Sequence, residues 1–302
     1  MRIALLLCGQ YRTLLDKRVL EAQNSFINKF NIDVFASTWS DPGISVWDMF
    51  VKNPNVYEGM KIDSSVLSKL DNLIKYEINN FEDYIYNVEN IEIKEKLINF
   101  FKKSQNNSIN DYASDDKFIT GYPQLYTILT ANNLKREYEI SNNFKYDIVI
   151  KSRPDFLFFK DITKYLNESY LEKNLIFTLN PRDQYWPRRI WDAMYFSSSE
   201  NIDKLSETYN EYSLLCKQSI TEKIKIKYGN RLGRKIDNSE KLGFISIENK
   251  RRFTNLLRAT EQTNACRLLF KKSKNEKIQI REILDEIGEV VRFDNIDNII
   301  SR

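Results

Sequence analysis

Histidine is absent from all 302 residues. That excludes Ser-His-Asp and Cys-His catalysis, HExxH zinc sites and facial-triad iron sites. A general base in this chain must be Asp, Glu, Lys or Tyr. A bound metal must take mainly oxygen ligands, which favours Mg²⁺ or Mn²⁺. Cysteine is scarce: Cys8, Cys216 and Cys266 lie far apart with no CxxC spacing. They read as small apolar fillers in a reduced, cytoplasmic setting. Only 8 Gly and 6 Pro are present, against a linker-rich or disordered chain. Long apolar runs are missing too. Ile3 to Cys8 is followed at once by Gly9, Gln10, Tyr11 and Arg12. It is shorter than the ~7–15 residues of a secretory h-region and the ~20 of a membrane span. We therefore expect a first buried strand there. The net charge of +4 is too mild to imply nucleic acid.

What is present is a large apolar and aromatic fraction, 42% and 13%, enough for a substantial core. Ile3–Cys8, a helically spaced stretch over 13–30 and the run 32–38 form a β-α-β unit, so a parallel sheet is expected. The segment 42–118 breaks the alternation. Pro42-Gly43 and Asn53-Pro54 signal turns, and 64–104 reads as mostly helical, an insertion flanking the site. A helix from Pro123 to about Ile140 leads to strands at 147–151 and 174–179. A loop of arginines and aromatics over 182–191 precedes a short strand after Asp192 and a helix near 200–216. Residues 217–252 hold eleven Lys/Arg against four Asp/Glu. That basic variable segment is either a solvated face or a contact for an anionic membrane surface or pyrophosphate. A helix from Arg252 to about Phe270 and a short α/β tail close the chain.

The richest motif is Tyr146-Asp-Ile-Val-Ile-Lys-Ser-Arg-Pro-Asp155. It delivers Arg153, Pro154 and Asp155 to the end of a central strand, where open α/β sheets bind ligands. Asp155 there can hold a divalent ion beside a diphosphate; the alternative is a structural Arg153–Asp155 pair within the turn. A paired Asp-x-Asp is absent, because Arg153 stands in the first acid's place. Gly9, Gln10 and Arg12 occupy the first βα turn, where backbone can approach a phosphate. Neither GxGxxG nor a P-loop is present, and a tight turn with a surface arginine accounts for these residues equally well. Trp39 and Asp41 end the second strand, and Asp41 suits a ribose or base contact. Asp192 suits a general base for an acceptor hydroxyl or a hydrogen bond to the donor sugar, or a cap. Glu261, on an expected helix, is a second acid, or a solvated one.

Taken in order, these motifs resemble bacterial glycosyltransferase-like proteins of capsule and lipopolysaccharide gene clusters. Cys8-Gly-Gln-Tyr-Arg12, Asp33 to Trp39, the helix opening at Gln124, Tyr146 to Asp155, and the acids Asp192 and Glu261 carry the likeness over about two thirds of the chain. The resemblance implies a single α/β domain over 1–302 with a GT-A-like, Rossmann-type mixed sheet, helices on both faces and a helical insertion. It implies a transferase using an activated sugar, and we expect it in the cytoplasm, either free or at the inner face of the membrane. The donor would be a nucleotide-sugar and the acceptor an oligosaccharide or lipid-linked glycan, with no nucleic acid. Gly9, Gln10, Arg12, Trp39, Asp41 and Gln124 would surround the nucleotide. Asp155 would hold Mg²⁺ or Mn²⁺, and Arg153, Asp192 and Glu261 would be catalytic. The rival is a non-catalytic carbohydrate-binding or assembly protein on the same fold.

Overall fold

The computed structural model describes residues 1–11, 14, 16–40, 61–105, 121–179, 190–191, 193–217, 265–283 and 288–290. Strand β1 (Ile3–Cys8) is buried along its whole length, as its unbroken apolar run requires. Helix α1 (Lys17–Phe30) starts where the Asp16 carboxylate accepts from the Arg18 amide at 2.9 Å. It stops at Asn31, which adopts a left-handed conformation (φ 48°) and returns its N–H to the last turn. Strand β2 (Asp33–Trp39) then pairs parallel to β1.

Beyond β2 the chain forms a short helix α2 (Ser64–Leu67), strand β3 (Leu73–Asn79), and helices α3 (Phe81–Asn87) and α4 (Ile91–Gln105). The stretch 64–104 is thus not purely helical: β3 joins the main sheet beside β2. Its residues are half-buried and alternate apolar with polar, the mark of an edge strand and not of a core one. Helix α5 (Gly121–Ser141) leads into β4 (Ile148–Ser152), on the other side of β1.

The remaining described elements are β5 (Phe156–Phe158), α6 (Thr163–Leu171), β6 (Leu175–Leu179), β7 (Met194–Ser197), α7 (Ser199–Ser206), α8 (Tyr212–Lys217), α9 (Ala265–Asn275), β8 (Gln279–Ile283) and β9 (Gly288–Val290). The helix expected near 200–216 is two helices. The seven-stranded sheet runs β3-β2-β1-β4-β7-β6-β8. Within it β7 is antiparallel to both neighbours and the other pairings are parallel. It is a mixed, Rossmann-type sheet, in agreement with the GT-A-like architecture expected.

Helices cover both faces. Ile3, Leu5 and Leu7 point into one core with Phe26 and Ile27 of α1 and Leu166 of α6. Ala4, Leu6 and Cys8 point into the other with Leu125 and Ile128 of α5 and Leu205 of α7. A buried ionic network ties α5 to α7. Lys135, fully buried, donates to Ser199 Oγ and to Asp203 at 2.9 Å, and Ser199 Oγ donates to Glu139 at 2.7 Å. Glu139 also accepts the Tyr146 amide at the entrance to β4. Among the described residues, no helix is long and apolar enough to cross a membrane.

Candidate functional site

From β1 the chain moves outward to β2 and β3, then returns through α5 to β4 on β1's other flank. The carboxyl ends of β1 and β4 therefore form a topological switch point, where ligands bind in sheets of this kind. Leu7 pairs with Ser152, so Gly9-Gln10 and Arg153-Pro154-Asp155 emerge side by side there.

Gly9 has φ +115°, a conformation open to glycine and costly to other residues. A Cβ built on it meets no described residue within 4 Å, so backbone conformation and not crowding by them demands the glycine. Its N–H donates to the Ser37 carbonyl at 3.1 Å, pinning the turn to β2. Gln10 is half-buried. Tyr11 is fully buried and donates its hydroxyl to the Leu7 carbonyl at 3.2 Å, so the loop folds back over its own strand.

The second loop is held from three directions. The Arg153 amide donates to the Ala193 carbonyl at 2.8 Å, and the Phe156 amide closes the turn onto the Arg153 carbonyl. From α1, Gln23 donates its amide to the carbonyls of Pro154 (3.2 Å) and Phe156 (2.7 Å). Gln23 is 1% exposed and its own Oε1 has no partner. Sequence reasoning passed over it. A lone polar residue on the buried stripe of an amphipathic helix was the available signal.

Within that turn the guanidinium of Arg153 takes both oxygens of Asp155, Nε to Oδ1 at 2.7 Å and Nη2 to Oδ2 at 2.5 Å. Asp155 is 4% exposed. The structural pair, held as the alternative to a metal ligand, is thus formed. A divalent ion on Asp155 would sit against that guanidinium. Among the described residues, no group of three acids or cysteines could hold a metal ion. The described residues do not fit a metal centre as they stand.

Beneath the two loops, Cys8 and Lys151 are buried on one face of adjacent strands. Burial pushes the Cys8 thiol up to about 12, against a smaller opposing pull from the Lys151 ammonium. Lys151 also lies 5.8 Å from the centre of the Tyr195 ring.

The other expected site residues are distributed unevenly. Gln124 lies in the first turn of α5, half-buried. Trp39 is 4% exposed, packed by Phe81 and Tyr84 with ring centres 5.0 Å away and by Tyr126 at 5.8 Å. Its ring is part of a core, not a face open to a base. Arg12, Asp41, Asp192 and Glu261 lie outside the described residues, as do most of 217–252 and the loop 182–189. Both chain neighbours of Asp192 are described. Trp191 donates its amide to Thr178 Oγ1 at 2.9 Å, and Ala193 receives Arg153.

A second feature occupies the same edge of the sheet. At the end of β3 a cavity of about 260 Å³ opens between β3, α3, the start of α5 and the segment after α7. Tyr84, Tyr126 and Tyr209 supply its aromatic wall. Burial, reinforced by neighbouring phenols, raises the Tyr84 and Tyr122 hydroxyls well above the usual range. Tyr209 contributes to the rise at Tyr84 both by its charge and by its hydroxyl, although the buried Tyr84 hydroxyl has no partner of good hydrogen-bond geometry among the described residues.

No protein-family profile matches this chain, and no curated protein matches it. Among solved structures, the apo form of mouse xyloside xylosyltransferase 1 is similar at a TM-score of 0.34 and 7% identity, over 93% of this chain and 84% of that one. A likeness of that size establishes neither fold nor chemistry.

Proposed function

We propose that this protein is a glycosyltransferase that moves a sugar from a nucleotide-sugar donor to an oligosaccharide or lipid-linked glycan in bacterial surface polysaccharide synthesis. The observation that carries the reading is the meeting of Gly9-Gln10 with Arg153-Pro-Asp155 at the switch point. These are the motifs on which the resemblance rests. Backbone without a side chain at Gly9 suits a close approach by a nucleotide. Arg153, oriented by Asp155, supplies fixed positive charge where a departing nucleoside diphosphate gains negative charge. Gln10, Arg12, Asp41 and Gln124 complete the nucleotide contacts in this reading, and the buried Trp39 supports them from behind. If transfer inverts the anomeric centre, a base other than histidine must deprotonate the acceptor, and we assign a carboxylate to it. Asp192 has that role; if transfer retains the anomeric centre, Asp192 orients the donor instead, and Glu261 is the second candidate acid. Work at the cytoplasmic face of the membrane, with 217–252 touching anionic lipid, belongs to the same proposal.

The test is a thermal-shift series with UDP, GDP, CDP and CMP, each with and without Mn²⁺, on wild type and Arg153→Ala. Selective stabilisation by one nucleotide, lost in Arg153→Ala, is expected. A ligand at 100 times its Kd adds about 2.7 kcal/mol, a shift easily read. No shift with any nucleotide would turn the reading toward a non-catalytic carbohydrate-binding protein.

A further inference from the structure

The cavity at the end of β3 is lined by none of Gly9, Gln10, Arg153 or Asp155, and its chemistry is different. Among the described residues its lining contains no lysine or arginine. A diphosphate would find no cation among them, so the nucleotide half of a donor suits this wall poorly. What the wall does offer is flat aromatic surface from three tyrosines and neutral amides from Asn79, Asn80 and Asn87, with one carboxylate, Asp83. Amides donate and accept at once, and a carboxylate accepts from two neighbouring hydroxyls. Tyrosine presents an apolar face and a polar rim. That combination matches a ring with C–H groups on its faces and hydroxyls on its edge. At about 260 Å³ the space lies below the roughly 300–1,000 Å³ of sites for larger ligands.

The cavity is also a built one. The Asn79 amide donates to the Thr38 carbonyl at 3.3 Å, and Asn79 Oδ1 accepts from the Tyr126 hydroxyl at 3.3 Å. Asn80 caps α3 by accepting the amides of Glu82 and Asp83. These contacts fix the wall. Asp83 and Asn87, one turn apart on α3, are exposed at the mouth. Deeper in, the Tyr84 hydroxyl is buried, belongs to a residue only 7% exposed, and has no partner.

We propose that this cavity is a subsite for one neutral pyranose unit of the acceptor glycan. It lies on the same carboxyl edge as the switch point, two strand spacings from β1, or about 10 Å. A glycan seated there reaches toward Gly9 and Arg153 along one edge of the sheet. The acceptor role rests on the transferase reading; the affinity for a neutral sugar does not.

The experiment is saturation-transfer NMR on the full chain with methyl glucoside, methyl galactoside and methyl N-acetylglucosaminide, each alone and with excess UDP or GDP. Transfer to at least one pyranoside is expected, undiminished by nucleotide and weakened at least fivefold in Asp83→Asn/Asn87→Ala. Both positions are exposed, so that variant should keep the wild-type melting temperature; Tyr84→Phe, which removes only the orphan hydroxyl, is the independent second variant. Transfer to none of the three, transfer unchanged in both variants, or displacement by nucleotide would each overturn the subsite. Sugar binding in a protein that binds no nucleotide would keep the subsite and remove the transferase reading, so the two failures are distinct.

Discussion

Arg153 and Asp155 grip each other through two parallel hydrogen bonds, at 2.7 and 2.5 Å, across the proline that separates them. The carboxylate is nearly buried, while the guanidinium side chain keeps 27% of its surface exposed. The pair is therefore buried on the acid side and partly exposed to solvent on the basic side. Breaking a fully buried pair costs about 3–5 kcal/mol, and partial exposure lowers that here to about 2–3. Asp155→Ala should lower stability by that amount in urea denaturation. Arg153→Ala should cost about as much, and the double variant clearly less than the sum. Strict additivity would mean the pair does not couple, and the positioning role given to Asp155 would fall.

Gly9 offers a cleaner separation of stability from binding. Its φ of +115° strains any L side chain, yet no described residue lies within 4 Å of an added Cβ. Gly9→Ala should lose about 1–2 kcal/mol of stability from backbone strain alone. If a nucleotide lies there, the methyl group intrudes on it. Nucleotide affinity should then fall at least tenfold, beyond the loss of stability. Equal nucleotide affinity in the variant would place the nucleotide elsewhere.

Cys8 sits directly below Gly9, and burial pushes its thiol up to about 12. The thiolate is the reactive form, so at pH 8 Cys8 should resist a disulfide-exchange reagent in the folded protein and react fully in denaturant. Cys266 is buried as well and should behave likewise. Mass spectrometry of peptides labelled under native conditions checks this. Rapid native labelling of Cys8 would mean that the β1 end opens readily.

Strands buried on both faces were legible because an unbroken apolar run has no other use. Ile3–Cys8 and the strand observed at Ile148–Ser152 fell within a residue of expectation. Leu73–Asn79 was lost in a stretch read as helical, since an edge strand with a half-wet surface carries a weak apolar signal. The loop residues at the switch point were legible by position, as charges and a glycine placed where apolar strands end. How they pair was not. Whether Arg153 turns inward onto Asp155 or outward to a ligand depends on burial, which a sequence does not state. The partners of Gln23 and the tyrosine cavity were illegible for a related reason, although Gln23 itself stands out as a polar residue on an apolar stripe. They come from segments over a hundred residues apart, as with Gln23 and Phe156 or Asn79 and Tyr209.

Glu77 gives a pH dependence whose sign can be worked out. It is partly buried on β3, and burial is the chief cause that raises its carboxyl above the usual range. Glu137 adds to the rise, and a hydrogen bond with Asn79 opposes it. A carboxyl raised in the folded state favours the protonated form there. The folded state therefore binds more protons than the unfolded one between the two values, and stability falls as pH rises through that window. Above it, the ionised Glu77 is a constant cost. Glu77→Gln removes the ionisation and keeps the shape. The variant should be more stable than wild type at pH 7, by about 0.5 kcal/mol for a position only partly buried. The gap should close as pH falls below the unfolded value of 4.5. Urea midpoints at pH 4, 5, 6 and 7 measure it. A variant less stable than wild type at pH 7 would show that the Asn79 hydrogen bond outweighs burial, and that Glu77 helps to fix the wall of the cavity beside it.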